Sequence, residues 1–174
     1  MVFLYVDDLV ITGSSECEIL TLKRNLKSEF EMTDLGELAY FLGIEFLKTE
    51  KGIMMHQRKY TNDVLERFQI QNCKPASTPV EANMKINETS LENHADTTLY
   101  RQIVGCLRFI CHSRPEITYV VGVISKYMAK PTQAHMIAAK RILRYLKGTL
   151  CYGVLFPNQR QKCESEFVGY SNSD

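Results

Sequence analysis

Two short β-rich runs, Val2–Val6 and Leu9–Ile11, are separated only by Asp7-Asp8, and this arrangement limits what the chain can build more than any other stretch. The spacing is that of a two-residue hairpin, yet such turns favour Asn-Gly or Asp-Gly because their central residues need positive φ. Two adjacent carboxylates with no glycine therefore ask for a reason. Side by side they repel, and burial between apolar strands would raise the cost of both charges. A bridging divalent cation is the natural compensation. Hard oxygen ligands suit magnesium, which completes its shell with waters and a substrate's phosphates. The plain alternative is a solvated acidic turn, where aspartate is common because it hydrogen-bonds locally.

Behind the hairpin, Ser15-Glu16-Cys17-Glu18 has the form of a capping box, and Ile19, Leu22, Leu26 and Phe30 recur at helical spacing. After a turn at Asp34-Leu35-Gly36, the run Tyr40–Phe46 alternates as a strand with Tyr40, Leu42, Ile44 and Phe46 on one side. Lys51-Gly52 supplies a turn and Ile53–His56 a returning strand, so a second hairpin follows the first helix. Tyr60–Phe68 reads as a short amphipathic helix with Val64, Leu65 and Phe68 inward. Pro75, Pro79 and many polar residues up to about His94 then leave little to bury, which marks a linker. Three helical segments follow, roughly Leu99–His112, Pro115–Ala129 and Thr132–Lys147, with Pro115 in a first turn and Gly148 as a C-terminal stop. The fold class expected is α+β, with antiparallel hairpins first and helices afterwards.

Composition adds exclusions. A 45% apolar fraction is ordinary for a globular chain, and no stretch approaches ~18 uninterrupted apolar residues, so no membrane span is expected. The N-terminus has no signal-peptide pattern, which points to an intracellular chain. The 6 cysteines are scattered without a C-x-x-C pair and read as reduced thiols. A net charge of +1 gives no global argument for nucleic acid; any such surface must come from local clustering. One local cluster exists. Lys140, Arg144 and Lys147 recur along one face after Thr132, with Arg141 beside them, while Met136, Ala139, Leu143 and Leu146 line another. Such a stripe can follow phosphates without reading sequence, or be a solvated helix face. Lone histidines at 56, 94, 112 and 135 are assigned no chemistry.

Tyr5-Val6-Asp7-Asp8 with its apolar flanks resembles the catalytic hairpin of reverse transcriptases. The resemblance continues in order through Asp34-Leu35-Gly36-Glu37, Tyr40-Phe41-Leu42-Gly43-Ile44-Glu45, Cys73-Lys74-Pro75 with Ser77-Thr78-Pro79, Tyr100-Arg101 with Val104-Gly105, Arg114-Pro115-Glu116-Ile117, and Ala138–Thr149. Together these blocks are similar to the polymerase region of copia-type retrotransposon Pol polyproteins. The resemblance implies the C-terminal half of a reverse transcriptase palm over 1–58, a short helix at 59–73 leading into the thumb, a linker at 74–98 and a helical thumb and connection over 99–165. The first strand of a truncated RNase H domain would occupy 166–174.

The activity so implied is RNA-directed DNA polymerisation by two-metal nucleotidyl transfer, with Asp7 the main magnesium ligand and Asp8 the supporting one. Tyr5 and Val6 would lie beneath the primer terminus, and Gly43 with Ile44 would form part of the primer grip. The plain reading of Gly43 is a bulge in a strand. Lys140, Arg141, Arg144 and Lys147 would track the primer-template duplex. Partners would be an RNA or DNA primer-template, a deoxynucleoside triphosphate and the remainder of Pol, with no membrane. The parent element would work in a cytoplasmic virus-like particle or in the nucleus.

An apolar strand at the very start, and a family aspartate expected ahead of Met1, imply a truncated chain that is inactive alone. In the RNase H stub, Asn172 stands where the family places an aspartate, and Asp174 matches a second acidic position; no RNase H activity is expected. The alternative function is a non-catalytic retrotransposon remnant with weak nucleic-acid binding.

Overall fold

The computed structural model describes residues 1–81 and 94–158, which fall into two compact units, Met1–Phe41 and one that begins at Leu42. The first unit opens with an antiparallel hairpin of β1 (Val2–Tyr5) and β2 (Asp8–Ile11), pairing Phe3 with Val10, Leu4 with Leu9 and Tyr5 with Asp8. Helix α1 (Glu16–Glu29) follows, and the Ser15 side chain accepts from the Glu18 amide at its N-terminus, as the sequence suggests. In the turn beyond α1, Asp34 accepts from the Gly36 amide at 3.0 Å and from Lys23 at 3.1 Å. The Gly36 amide, then Lys23, hold its carboxyl below the usual carboxylate range. A two-residue strand, β3 (Tyr40–Phe41), closes this unit. No described residue in it is buried; Ile19, Leu22 and Leu26 are only half-covered.

The second unit holds the core. Strands β4 (Ile44–Thr49), β5 (Gly52–His56) and β6 (Val154–Pro157) form an antiparallel sheet in that order, with Phe46 opposite Met55 and Ile53 opposite Phe156. Helix α2 (Arg58–Arg67) follows β5 directly. Its Lys59 amide donates to the Glu45 carboxylate at 2.9 Å, so a side chain on β4 satisfies a donor that the first turn leaves free. Then come α3 (Thr97–Ile110), a 3-10 turn (Pro115–Ile117), α4 (Thr118–Ser125) and α5 (Gln133–Gly148). None of these helices is long and apolar enough to cross a membrane.

The helices bury one another's apolar stripes. Tyr100, Ile103, Leu107 and Ile110 of α3, Val121 and Ile124 of α4, and Ile142, Leu143 and Leu146 of α5 share one core, with Val64 and Leu65 of α2. Each such side chain contributes roughly 1.5–3 kcal/mol relative to exposure, which makes short helices stable that would be marginal alone. Helix ends are tied with polar groups: Asp96 accepts from Thr98 and Leu99 amides, and the Thr132 amide donates to buried His135 Nδ1 at 2.9 Å. Arg114, almost fully buried, donates to Glu116 and to both the carbonyl and hydroxyl of Thr149, joining the 3-10 turn to the end of α5.

Several expected boundaries move. The first turn is Val6-Asp7 rather than Asp7-Asp8, because Asp8 pairs with Tyr5 as the first residue of β2. Tyr40–Phe46 is not one strand: a turn at Leu42-Gly43, both with positive φ, breaks it. Glycine is required there, since φ is +81° and an added Cβ would stand 2.9 Å from the Phe109 ring. The segment from Pro115 divides into a 3-10 turn and α4, which ends at Ser125 rather than Ala129. Gly148 is the last residue of α5, and Thr149 caps it. β4 and β5, within the stretch 1–58 assigned to the palm, cluster with the helices, and β6 was not foreseen. Of the expected linker 74–98, the part up to Glu81 lies against α5.

Two expectations follow. Gly43→Ala should lower stability by about 2 kcal/mol through strained φ and contact with Phe109, measured by denaturant unfolding; an unchanged midpoint would contradict this packing. Tyr100 is fully buried, donates to the Ile124 carbonyl at 2.8 Å, and desolvation pushes its phenol up to about 12. The unfolded chain ionises this group near its ordinary value of 10, so stability should fall as pH rises from about 10 to 12. Alkaline unfolding monitored by circular dichroism should be shallower in Tyr100→Phe.

Candidate functional site

The acidic hairpin belongs to the first unit, whereas Gly43, Ile44 and the basic row of α5 belong to the second. In the hairpin, the turn forces Val6 to φ +52°, a conformation that costs a β-branched residue on the order of 1–3 kcal/mol. The ladder on either side holds it: Tyr5 pairs with Asp8, and the Thr12 amide donates to the Met1 carbonyl at 2.9 Å. The strained turn sets Asp7 at the tip, with Asp8 next to it on β2. Both are exposed, not buried between strands as the sequence suggested, so water screens their mutual repulsion. What remains is a pair of accessible hard oxygen donors on a fixed backbone.

Tyr5 and Val6 are also exposed, at 55% and 78%, and present apolar surface beside the carboxylates. Among the described residues no group of three His, Cys, Asp or Glu comes together that could hold a metal ion.

In the second unit, Gly43 lies in the Leu42-Gly43 turn with Ile44 half-buried at the start of β4. The Phe109 contact supplies a packing reason for Gly43, independent of any ligand. Phe109 in turn meets Tyr60 edge-on, with ring centroids 4.8 Å apart.

The α5 row is the largest difference between sequence and structure. Lys140 is exposed, but Arg141 donates to Glu81 at 3.0 Å and Thr78 at 3.2 Å, Arg144 to the Lys74 carbonyl at 2.7 Å, and Lys147 to the Cys73 carbonyl at 2.6 Å. The cations are visible in the sequence and these acceptors are not, because two are backbone carbonyls and the other two, Thr78 and Glu81, lie some 60 residues earlier in the chain. Asn172 and Asp174 lie outside the described residues.

Comparison with known proteins gives this arrangement a context. Residues 1–82 match the family described as reverse transcriptase (RNA-dependent DNA polymerase). The chain is 36% identical over 176 residues to an uncharacterised mitochondrial protein of Arabidopsis thaliana, covering 98% of this chain and 72% of that relative. It is 41% identical over 150 residues to the retrovirus-related Pol polyprotein from transposon RE1 of Arabidopsis thaliana, across 86% of this chain and 10% of the polyprotein. It is 35% identical over 183 residues to the Pol polyprotein from transposon TNT 1-94 of Nicotiana tabacum, across 97% of this chain and 14% of that relative. The chain thus spans only a small part of the Pol polyproteins it matches. No solved structure matches it. Carried by the family match across the acidic hairpin and by relatives along nearly its whole length, the conclusion is that the chain belongs to the reverse transcriptase family of copia-type retrotransposons.

Proposed function

We propose that these residues form a segment of an RNA-directed DNA polymerase in which Asp7 and Asp8 hold magnesium for nucleotidyl transfer. The observation that carries this reading is the strained Val6-Asp7 turn, which fixes two consecutive exposed carboxylates at one hairpin tip. Strain held against a β-branched side chain is more readily explained by a use for the turn than by folding alone.

The donors fit the metal: both are hard, accessible oxygens of the kind magnesium takes alongside waters and phosphate. When bound, two such ions would activate a primer hydroxyl and neutralise the triphosphate during in-line displacement. Asp7 serves as the main ligand and Asp8 as the supporting one. Tyr5 and Val6 offer the apolar surface on which a primer end rests; in the second unit, taken by itself, the Leu42-Gly43 turn with Ile44 offers backbone to a sugar-phosphate chain. The exposed run Val2–Tyr5 and the unpaired edges of its two-stranded ladder suit cover by further strands of Pol. With Asp7 and Asp8 joined by no third candidate ligand among the described residues, this chain by itself binds metal weakly and does not extend a primer.

A second reading is a non-catalytic remnant; the match to the Arabidopsis mitochondrial relative, which covers 72% of that protein, is compatible with it. The two readings part on metal binding. Manganese, as a paramagnetic stand-in for magnesium, should broaden the backbone amide signals of Val6–Leu9 selectively and saturably, with reversal by excess magnesium. Asp7→Asn with Asp8→Asn should abolish the effect. Broadening that is uniform along the chain, or that survives both substitutions, removes the metal-ligand role and leaves the remnant.

A further inference from the structure

The segment Cys73–Glu81 runs antiparallel along α5 and takes up its cations in order. Cys73 meets Lys147 at 2.6 Å, Lys74 meets Arg144 at 2.7 Å, and Thr78 and Glu81 meet Arg141 at 3.2 and 3.0 Å. The Ala76 amide donates to the Arg144 carbonyl at 3.2 Å, so backbone is joined to backbone in the middle of the strap. At the far end, an added Cβ on Gly148 would stand 3.1 Å from the Pro75 Cβ, so the absence of a side chain there lets Pro75 seat against the helix. The span from Arg141 to Lys147 is about 9 Å at 1.5 Å per residue, and the strap follows it throughout.

The acceptors are carbonyl, hydroxyl and carboxylate oxygens, the same hard oxygen chemistry that a phosphate backbone presents to arginine and lysine. We propose that the strap is a built-in cover over a latent phosphate-binding face, an autoinhibitory contact that nucleic acid must displace before α5 can hold it. This rests on the nucleic-acid reading of the chain. It differs from a solvated basic face in one respect: Arg141, Arg144 and Lys147 are already engaged, so removing the cover, rather than adding charge, should create affinity.

The test keeps the α5 cations and loosens the strap in the full chain, with Gly148→Val to crowd Pro75 and Glu81→Gln to release Arg141. Ala76→Pro, which removes the central amide, serves as a second route. The probe is a fluorescently labelled RNA–DNA hybrid followed by anisotropy across a salt series. Hydrogen exchange at Ala76 should rise in the Gly148→Val, Glu81→Gln chain, and both released chains should bind at least about 5-fold tighter than the parent. The slope of log affinity against log salt should steepen by about 2 to 3, as roughly three further phosphates at ~0.9 each would give. Adding Arg144→Gln and Lys147→Gln to the released chains should remove the gain. Unchanged exchange at Ala76, unchanged affinity in both released chains, or a gain that survives loss of those cations would overturn the proposal. Manganese broadening at Asp7 and Asp8 reports on the polymerase reading separately, so failure of one is distinguishable from failure of the other.

Discussion

Mutual burial of the apolar stripes on α3, α4 and α5 is the interaction on which the rest of the second unit depends. Helices of 8 to 16 residues have little stability of their own, and here Tyr100, Leu107, Ile124, Ile142 and Leu146 lose almost all contact with water against one another. Once that core exists, the remaining elements are attached to it by identifiable polar ties. Arg114 joins the 3-10 turn to Thr149, His135 closes the start of α5, and the last turns of α5 hold the Cys73–Glu81 strap. The first unit is built differently. It has no buried side chain among its described residues, and in its hairpin backbone pairing is joined only by the half-buried Leu9, Val10 and Ile11.

That contrast bears on function. A hairpin with little core of its own displays its residues, and this one displays two carboxylates beside Tyr5 and a strained Val6. Gly43 shows the opposite case, a residue the family resemblance ties to a primer and whose missing side chain is already required by Phe109. The basic row on α5 stands between the two, because its charges have a structural partner whose oxygens resemble the ligand expected for them.

Features governed by local chemistry were legible in the sequence. Ser15 caps α1 as its S-x-x-E pattern indicates, and Val64, Leu65, Leu143 and Leu146 turn inward as their helical spacing requires. The acidic hairpin was legible too, displaced by one residue, because alternation alone does not say which pair occupies the turn. Features set by distant partners were not. Phe41 to Ile44 alternates as a strand would, and only the Leu42-Gly43 turn over Phe109 interrupts it. Val154–Pro157 is too short to announce itself and becomes a strand by pairing with β5, about a hundred residues earlier in the chain. Nothing near Arg114 in the sequence marks its tie to Thr149, 35 residues later.

The most direct measurement of the central claim is magnesium-dependent primer extension on an RNA template by a longer Pol polypeptide that contains these residues within a complete polymerase. The account predicts incorporation by the parent polypeptide, and a fall of at least about 100-fold on Asp7→Asn, the scale expected when a metal ligand worth several kcal/mol is lost. Incorporation that persists within a few-fold when both Asp7 and Asp8 are changed to asparagine would contradict it.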